Sequence, residues 1–554
     1  MGLPTLLRNG NLLPAMGEKK EDLDKYRPID YILEWFNKRL VENYCKSIDD
    51  RIIVAESTTG SGKSTVLPTE LYLKFKDDLK GGIIVTQPRV LTAVDIPKTI
   101  VNVPVYKDKL ILGVNIGHQT KEYVKKPIEK GILFSTIGVL LQFLKNMEPE
   151  KFCKKYNIII LDEAHERSTS LDLIFYYLKE LIKKVPLESY PYVILTSGTM
   201  DVNKYTKYFN TKTVFRIQGD SYPIVDNFLS INSTNIIQSA LEKIKDIHEN
   251  GKNDDKHSSD IVVFVPVNAF IKKLKEGVEE LNEKYFKTRK ILPIGLDSGV
   301  FKSASIDYQY VFNDIDRIPI KNITRKVIIG TNAIETGITL ETISYCIDLG
   351  LVNVLEYNPY FNVNILTVRP VTQAMSKQRR GRVGRIREGQ FFGLYEKETF
   401  NKLQNIQYPE IITNNMTIPL LNILCTGGEN KGKDILDSLD MLDNIPEISK
   451  RTSLEKLYNH GAIDIDYNPT EIGKIINKVR MISLENIKMI LSGYHFGCNI
   501  MDLITIASYI EIGKQSIVTP RFKSFNIDFG KDKNIDIYNF NKLKSRLFIS
   551  CEFI

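Results

Sequence analysis

An apolar run at residues 158–161, Ile-Ile-Ile-Leu, ends abruptly in the acidic stretch Asp-Glu-Ala-His-Glu at residues 162–166. Four consecutive aliphatic residues predict a strand that is buried on both faces, as in a parallel sheet covered by helices. Open sheets of this kind bind ligands beyond the carboxyl ends of their strands, where Asp162 and Glu163 lie. Asp162 is suited to hold a hydrated Mg²⁺ ion, and Glu163 to orient or deprotonate an attacking water. A strand that ends in a solvated acidic turn has the same local pattern, so the interpretation needs a second signal.

The second signal lies about a hundred residues upstream, where an apolar run leads into Ser-Thr-Thr-Gly-Ser-Gly-Lys-Ser-Thr at residues 57–65. A strand followed by a Gly-rich turn that opens a helix is typical of a phosphate-binding loop. Lys63 is predicted to reach the β- and γ-phosphates of a nucleotide, and the Ser64 hydroxyl to bind Mg²⁺. The strict pattern has Gly where this chain has Ser57, which is tolerable if φ there is negative. A flexible linker would explain neither the preceding strand nor the Lys-Ser pair. The predicted nucleotide-binding residues are Ser57, Thr58, Thr59, Gly60, Ser61, Gly62, Lys63, Ser64 and Thr65, and the predicted metal ligands are Ser64 and Asp162.

A third polar cluster, at residues 378–385, contains four arginines and two glycines. Its composition also suits a nucleic-acid-binding patch or a solvated turn. Together with a nucleotide site, it favours a pair of arginine fingers, Arg382 and Arg385, that stabilise negative charge on the γ-phosphate in the transition state.

The three clusters, in this order, resemble the DEAH-box group of superfamily 2 helicases, and the resemblance covers roughly residues 50–510. Four further stretches carry it. Residues 86–89 (Thr-Gln-Pro-Arg) resemble motif Ia, residues 135–138 (Ser-Thr-Ile-Gly) motif Ib, residues 197–199 (Ser-Gly-Thr) motif III with Gly198 in place of Ala, and residues 331–338 motif V.

The resemblance assigns a role to each candidate residue. The implied catalytic residues are Lys63, Glu163, Gln378, Arg382 and Arg385; the implied coupling residues are His165, Ser197 and Thr199; and the implied nucleic-acid contacts are Arg89, Thr136 and Thr331. The implied cofactors are ATP, with other NTPs accepted, and Mg²⁺. Taken singly, His165 and the three nucleic-acid candidates are equally explained as residues that satisfy a local hydrogen bond.

The arrangement of apolar runs fits this fold class. Beyond residue 50, runs alternate with helical patterns, which indicates parallel sheets with crossover helices. Strands are predicted at residues 51–55, 82–86, 131–135, 157–161 and 192–196, and then at 261–265, 291–296, 326–329 and 345–347. A helix is predicted at 29–44, and helical patterns return beyond residue 400. An alternating stretch at 351–370 predicts a hairpin; in the family this hairpin projects from the second motor domain and helps to separate strands.

We therefore predict fold class α/β, with two tandem RecA-like parallel-sheet motor domains followed by an all-helical and winged-helix C-terminal region. The predicted domains are an N-terminal extension (1–48), RecA-like domain 1 (49–220), RecA-like domain 2 (221–400), a winged-helix domain (401–474) and a partial ratchet-like helical domain (475–554). Family members usually continue into an oligonucleotide-binding β-domain, for which this sequence has little room, so we expect a shortened variant or a truncated product.

Composition adds modest limits. The net charge of +8 fits a polyanionic partner without establishing one. The six cysteines lack metal-binding spacing, and no apolar run reaches transmembrane length, so we expect an intracellular, non-secreted protein without a zinc site or a membrane partner. The abundance of Ile, Lys and Asn is typical of an AT-rich genome, such as that of a large DNA virus or a parasite. Proteins of the family that this chain resembles often have an aromatic residue that stacks on the base where this chain has Leu351, so the resemblance implies loose discrimination among NTPs.

The leading functional hypothesis is an NTP-dependent RNA helicase that translocates 3′ to 5′ and unwinds duplexes or remodels RNA–protein complexes, acting as a monomer. Two alternatives stay open. One is a DNA or RNA–DNA helicase, for example in transcript release, because recognition of the 2′-OH depends on geometry. The other is a nucleic-acid clamp whose ATPase serves only for release. The sequence leaves open whether an activating protein partner exists.

Overall fold

The computed structural model describes residues 5–6, 28–42, 44–57, 61–128, 130–198, 200–217, 222–230, 235–251, 259–296, 309–311, 313, 315–335, 342–384, 387–428, 431–479 and 482–512. The chain divides into two compact units, one of residues 1–356 and 364–413 and one of residues 357–363 and 414–554. Five predicted site residues, Thr58, Thr59, Gly60, Thr199 and Arg385, lie outside the described ranges, and so does the predicted domain boundary at 220/221.

The first unit begins with a mainly parallel sheet. Its strands are β1 (Thr5–Leu6), β2 (Ile52–Ser57), β3 (Gly82–Gln87), β4 (Ile116–Gln119), β5 (Val124–Lys125), β6 (Ile132–Thr136), β7 (Tyr156–Leu161), β8 (Tyr192–Ser197) and β9 (Val214–Ile217). The order across the sheet is β1-β9-β2-β8-β7-β3-β6-β4-β5, and among the described pairings β4–β5 is antiparallel. Helices α1 (Pro28–Leu40), α2 (Val66–Phe75), α3 (Val90–Asn102), α4 (Ile137–Asn146), α5 (Pro149–Lys155), α6 (Thr169–Lys184) and α7 (Val202–Phe209) accompany it.

The middle of this sheet is apolar on both faces. All six residues of β7 are buried, and those of β3 and β8 are as well. A strand buried on both faces requires a helical layer on each side. Because β7 lies between β8 and β3, its carboxyl end meets the carboxyl ends of both neighbours at one edge of the sheet.

A second parallel sheet completes the first unit. Its strands are β10 (Ile224–Leu229), β11 (Asp260–Phe264), β12 (Lys290–Leu296), β13 (Ile323–Gly330), β14 (Ile343–Asp348) and, after a hairpin of β15 (Leu351–Asn358) and β16 (Val363–Pro370), β17 (Gly389–Glu396). They run in the order β10-β17-β14-β11-β13-β12. Helices α8 (Ile236–Asn250), α9 (Asn268–Lys284), α10 (Gln373–Arg380), α11 (Lys397–Lys402) and α12 (Glu410–Thr413) belong to this part of the chain.

Beyond residue 413, the second unit is helical in its described part. It contains α13 (Thr417–Thr426), α14 (Gly432–Asp437), α15 (Glu447–Asn459), α16 (Glu471–Lys478), α17 (Leu484–His495) and α18 (Ile500–Ile512). A single antiparallel bridge between Ile463 and Pro469 lies between α15 and α16, where a wing is expected. The chain leaves the helical conformation between α14, which ends at Asp437, and α15, which Pro446 directly precedes. Proline suits the start of a helix and breaks its interior.

The predicted α/β fold class, with two parallel-sheet domains and a helical C-terminal region, is confirmed. All nine predicted strands are present, with bounds shifted by at most three residues. The hairpin at 351–370 is also present, whereas the helix predicted at 29–44 ends at Leu40. The domain boundaries stay a prediction; those at 400/401 and 474/475 fall inside α11 and α16. Within the described residues, no helix is long and apolar enough to cross a bilayer.

Candidate active site

The described part of the phosphate-binding loop has a backbone conformation at Gly62 that favours glycine. Gly62 has φ of +80°, and a Cβ added there would lie 2.9 Å from Val66 Cγ2. The Gly62 carbonyl accepts hydrogen bonds from the N–H groups of Thr65, Val66 and Leu67 as α2 begins. A side chain at this position would therefore strain the turn that opens the helix.

Lys63 and Glu163 form an ion pair at the carboxyl edge of the first sheet. Lys63 Nζ lies 3.0 Å from Glu163 Oε1, and Lys63 is 7% exposed. Burial alone would lower the pKa of Lys63, but the carboxylates of Glu163 and Asp162 outweigh it and raise the pKa above its ordinary value. Lys63 is therefore a fixed positive charge at neutral pH. Glu163 itself has φ of +54°, a left-handed conformation uncommon for Glu, which turns the chain sharply after β7.

Asp162 receives a hydrogen bond at each of four acceptor positions. Ser64 Oγ donates to Oδ2 over 2.5 Å and Gln87 Nε2 donates to the same oxygen over 2.8 Å. Thr196 Oγ1 donates to Oδ1 over 2.7 Å and the Glu163 N–H donates to it over 3.0 Å. The carboxylate is 1% exposed and is held in one orientation by groups on four segments of the chain.

Ser64 and Asp162 are suited to a magnesium ion. A hydroxyl and a carboxylate are hard oxygen donors, which Mg²⁺ prefers, and Mg²⁺ usually keeps several waters and takes one or two protein ligands. The 2.5 Å separation of Ser64 Oγ and Asp162 Oδ2 places both donors beside Lys63, where the phosphates of a nucleotide are expected. The residues present therefore fit the predicted ion.

His165 links the acidic turn to the end of β8. Its Nδ1 lies 2.9 Å from Ser197 Oγ and 3.4 Å from Glu163 Oε2. Burial lowers the pKa of His165 below its ordinary value, and the Glu163 carboxylate only partly offsets this, so the ring is neutral at pH 7. The structure thus brings together two of the three predicted coupling residues; Thr199 lies outside the described ranges.

The arginine cluster separates into different environments. Arg379 is fully buried and donates to Glu335 Oε1 over 2.6 Å and to Asp348 Oδ1 over 2.7 Å. Arg380 donates to Asp226 Oδ1 over 2.5 Å. Both side chains hold the second domain together. Arg382 is different, because its charge acts on Lys63 of the first domain and opposes the raised pKa of that amine.

A cleft of about 310 Å³ lies beside this site within the first unit. Arg89, His165 and Gln378 line it, together with Glu335 and Glu410. Gln378 and His165 thus line the same cleft from different domains. Burial raises the pKa of the neighbouring Glu166 to about 7, against the opposing charge of Arg89.

The three predicted nucleic-acid contacts occupy comparable places in the two sheets. Arg89 precedes α3, Thr136 ends β6 and precedes α4, and Thr331 follows β13. Each stands where a strand gives way to a helical turn, so backbone N–H groups at a helix start lie next to each of them.

Two departures from the family pattern are neighbours in space. Ser57 stands where the strict phosphate-loop pattern has Gly, and Gly198 stands where motif III has Ala. A Cβ added at Gly198 would lie 3.2 Å from the Ser57 carbonyl oxygen, because β2 and β8 are adjacent. The glycine therefore accommodates the close approach of the two strand ends.

Comparison with known proteins follows the same division of the chain. The family model described as DEAD/DEAH box helicase matches residues 41–209, and the helicase conserved C-terminal domain matches residues 241–387. Residues 162–165 read Asp-Glu-Ala-His. The chain belongs to the DEAH-box group of superfamily 2 helicases.

Curated relatives of this DEAH-box chain include viral and cellular proteins. It is 34% identical to "Putative RNA Helicase B962L" of African swine fever virus, over 93% of this chain and 57% of that protein. It is 28% identical to "Probable ATP-dependent RNA helicase DHX35" of Homo sapiens, over 94% of this chain and 71% of that protein. The chain thus spans a little over half the length of the viral relatives.

Solved DEAH-box structures share the fold. The Escherichia coli DEAH/RHA helicase HrpB superposes with a TM-score of 0.72 at 20% identity, over 94% of this chain and 60% of that one. Such a likeness supports the two RecA-like domains and leaves residue roles to the geometry of this chain.

Two residues of the site that the sequence did not predict, Gln87 and Thr196, donate to Asp162 from the strands on either side. A signal for both exists, since each is a polar residue at the end of an apolar strand.

Proposed function

We propose that this chain is an NTP-driven RNA helicase that translocates 3′ to 5′ and displaces a paired strand or remodels RNA–protein complexes. The observation that carries the proposal is the cleft that both RecA-like domains line, with His165 from the first and Gln378 from the second, beside the ion pair of Lys63 and Glu163. A triphosphate bound between two such domains favours their closure, and its hydrolysis lets them reopen.

Phosphate binding begins with an exchange of partners. Lys63 is paired with Glu163, and a bound triphosphate offers Lys63 a more highly charged partner. Glu163 is then released to orient a water or take its proton, with Gln378 assisting from the second domain. Ser64 and Asp162 would hold Mg²⁺, which when bound neutralises charge on the β- and γ-phosphates. Arg382, and Arg385 by its place in the motif, stabilise the negative charge that develops in the transition state.

Coupling uses the contact between His165 and Ser197. His165 lies between Glu163 and Ser197, so a change in the position of the Glu163 carboxylate reaches the end of β8 through the imidazole. His165 also lines the cleft that Gln378 lines from the second domain. A change at the nucleotide can therefore open or close the domains and so move a bound strand.

The strand is proposed to contact Arg89, Thr136 and Thr331 through its phosphates and sugars, which carry no sequence information. The hairpin of β15 and β16 has an aromatic tip in which Tyr360 is 79% exposed and Phe361 75% exposed. Bases stack readily on such side chains. RNA is favoured as the substrate because the relatives' names, "Putative RNA Helicase" and "Probable ATP-dependent RNA helicase", specify it.

Strand displacement on 3′- and 5′-tailed duplexes of RNA and of DNA tests the proposal, with ATP, GTP and UTP as alternative fuels. We expect displacement of 3′-tailed RNA, NTPase stimulation by poly(U), and comparable rates with the three nucleotides. Lys63→Ala serves as the inactive control. Displacement confined to DNA or to RNA–DNA hybrids would contradict RNA as the substrate and support the DNA or RNA–DNA helicase alternative. Stimulated hydrolysis without displacement on any duplex would contradict helicase activity and support the clamp alternative.

A further inference from the structure

We propose that Gln87 and Thr196 are positioning residues that fix the Asp162 carboxylate for metal binding, and that Gln87 also connects it to the strand-binding side of the first domain. This inference rests on the proposed function, in which Asp162 and Ser64 hold Mg²⁺. Neither residue is expected to touch the nucleotide; both act through Asp162.

The geometry follows from the order of three strands. Leu161 at the end of β7 is in register with Leu195 of β8 and with Thr86 of β3. The next residue in each segment is Asp162, Thr196 or Gln87, so three polar side chains form one row at the carboxyl edge of the sheet. Thr196 is fully buried and Gln87 is 3% exposed.

The two donors form hydrogen bonds to different oxygens of the Asp162 carboxylate. Thr196 Oγ1 donates to Oδ1 over 2.7 Å, and Gln87 Nε2 donates to Oδ2 over 2.8 Å. Together with the Glu163 N–H on Oδ1 and Ser64 Oγ on Oδ2, these donors from the two neighbouring strands hold the plane of the carboxylate. Oδ2 is also the oxygen that Ser64 approaches to 2.5 Å, so this plane determines where the two predicted metal ligands point. Groups that orient metal ligands in this way commonly change metal affinity or activity by about 10- to 100-fold when removed.

Gln87 has a second role because of its place in the chain. It is the last residue of β3, two positions before Arg89, which precedes α3 and is proposed to contact the strand. Displacement of Arg89 by a bound strand therefore reaches Asp162 through one buried amide. Thr196 instead adjoins Ser197 of the coupling pair, and Thr196→Val keeps the backbone of β8 and so leaves the contact of Ser197 with His165 in place.

The test compares Thr196→Val and Gln87→Met, which keep approximate shape and remove the donor, with Thr86→Val as the matched control. Thr86 is fully buried on β3, and its hydroxyl points to the Ile160 carbonyl 3.4 Å away rather than to Asp162. The first readout is Mn²⁺ affinity of the protein–ADP complex, measured by electron paramagnetic resonance. We expect the Kd for Mn²⁺ to rise about tenfold or more in both variants and to stay within about twofold in the control. Metal-free ADP affinity should be unchanged.

The second readout separates the two residues. Gln87→Met should lower the ratio of poly(U)-stimulated to basal NTPase rate, whereas Thr196→Val should lower both rates together and keep the ratio. Thr196→Ser, which retains a hydroxyl, should restore Mn²⁺ affinity and so exclude a loss of folding as the cause. Unchanged or tighter Mn²⁺ binding in well-folded Thr196→Val and Gln87→Met would overturn the inference. Failure of the wild-type protein to hydrolyse NTP would instead overturn the proposed function, because the Mn²⁺ titration does not depend on turnover.

Discussion

The ion pair of Lys63 and Glu163 determines how the site can begin a cycle. Lys63 keeps its proton at neutral pH because the carboxylates of Glu163 and Asp162 raise its pKa despite burial. In the proposed mechanism, Lys63 exchanges Glu163 Oε1, which lies 3.0 Å from its amine, for the phosphates before that carboxylate assists a water. Nucleotide binding then precedes activation of the water.

Substitution of these two residues should separate binding from chemistry. Glu163→Gln removes the base but keeps size and hydrogen bonding, so we expect hydrolysis to fall by about 10²- to 10⁴-fold while NTP binding is retained. Lys63→Ala should lose both NTP binding and hydrolysis, because the phosphates lose their buried cation. Fluorescent-nucleotide binding and phosphate release measure the two effects, with exposed Lys98→Ala as control. A near wild-type rate in Glu163→Gln would assign the base to another group.

Sequence spacing predicted one site with Lys63, Ser64, Asp162 and Glu163, because the phosphate loop and the acidic strand end are local patterns, and the structure brings these residues together. The donors to Asp162 were not identified, since Gln87 lies 75 positions away and the order β8-β7-β3 cannot be read from a run of residues. The arginines show the same limit. Only the structure distinguishes Arg379, bound to carboxylates 31 and 44 positions away, from Arg382, which acts on Lys63.

Strands were predicted well where they are aliphatic and fully buried. β17 was missed because its sequence contains two glycines, which are poor strand formers. Packing explains one of them, since a Cβ at Gly393 would lie 3.0 Å from the Phe228 and Tyr395 rings. β10 was missed because most of its residues are half-buried or exposed, with little apolar pattern to mark it. Edge strands and closely packed glycines depend on tertiary contacts that a single strand's sequence does not reveal.

The hairpin tip should act in strand separation and not in hydrolysis. Asn358 Oδ1 accepts hydrogen bonds from the N–H groups of Tyr360 and Phe361, which fixes the turn and presents both rings to solvent. Stacking on aromatic side chains contributes about 1–3 kcal/mol per base. Substituting Tyr360 and Phe361 by Ala should therefore lower the displacement rate roughly tenfold and leave the poly(U)-stimulated NTPase rate unchanged. Tyr123→Ala, also exposed, is the control, and unaltered displacement by the hairpin variant would contradict this role.

The segment of residues 403–409, between α11 and α12, should be held in place by the Glu410 carboxylate. Glu410 Oε2 accepts from the Thr169 N–H over 2.9 Å at the start of α6, and the Glu410 N–H donates to the Arg167 carbonyl. An acceptor at a helix N-terminus stabilises by about 1 kcal/mol. Glu410→Ala should lower the melting temperature and increase proteolysis at residues 403–409, whereas exposed Glu398→Ala should do neither. Equal melting of the two variants would show that the contact contributes nothing.

Acid should destabilise the whole molecule through its buried histidines. Burial lowers the pKa values of His118, His165 and His248, and that of His248 falls to about 4. Each of these side chains has its ordinary pKa near 6.5 in the unfolded chain. Between the two values the unfolded chain binds more protons than the folded protein, so the free energy of unfolding falls as pH drops below about 6.5.

His248 should contribute the most readily measured part of this effect. It is 1% exposed, and its Nε2 lies 2.8 Å from the Arg289 carbonyl oxygen, so the neutral ring donates through Nε2–H. His248→Gln keeps a donor and cannot titrate. At pH 7.5 the melting temperatures of the two proteins should differ only through the change in packing. At pH 5 the wild type should lose roughly 2 kcal/mol more than the variant, because pH 5 lies well below the unfolded pKa and still above the folded one. The melting temperatures of the two proteins could instead change in parallel between pH 7.5 and 5. That result would show that the pKa of His248 is the same in the folded and unfolded protein.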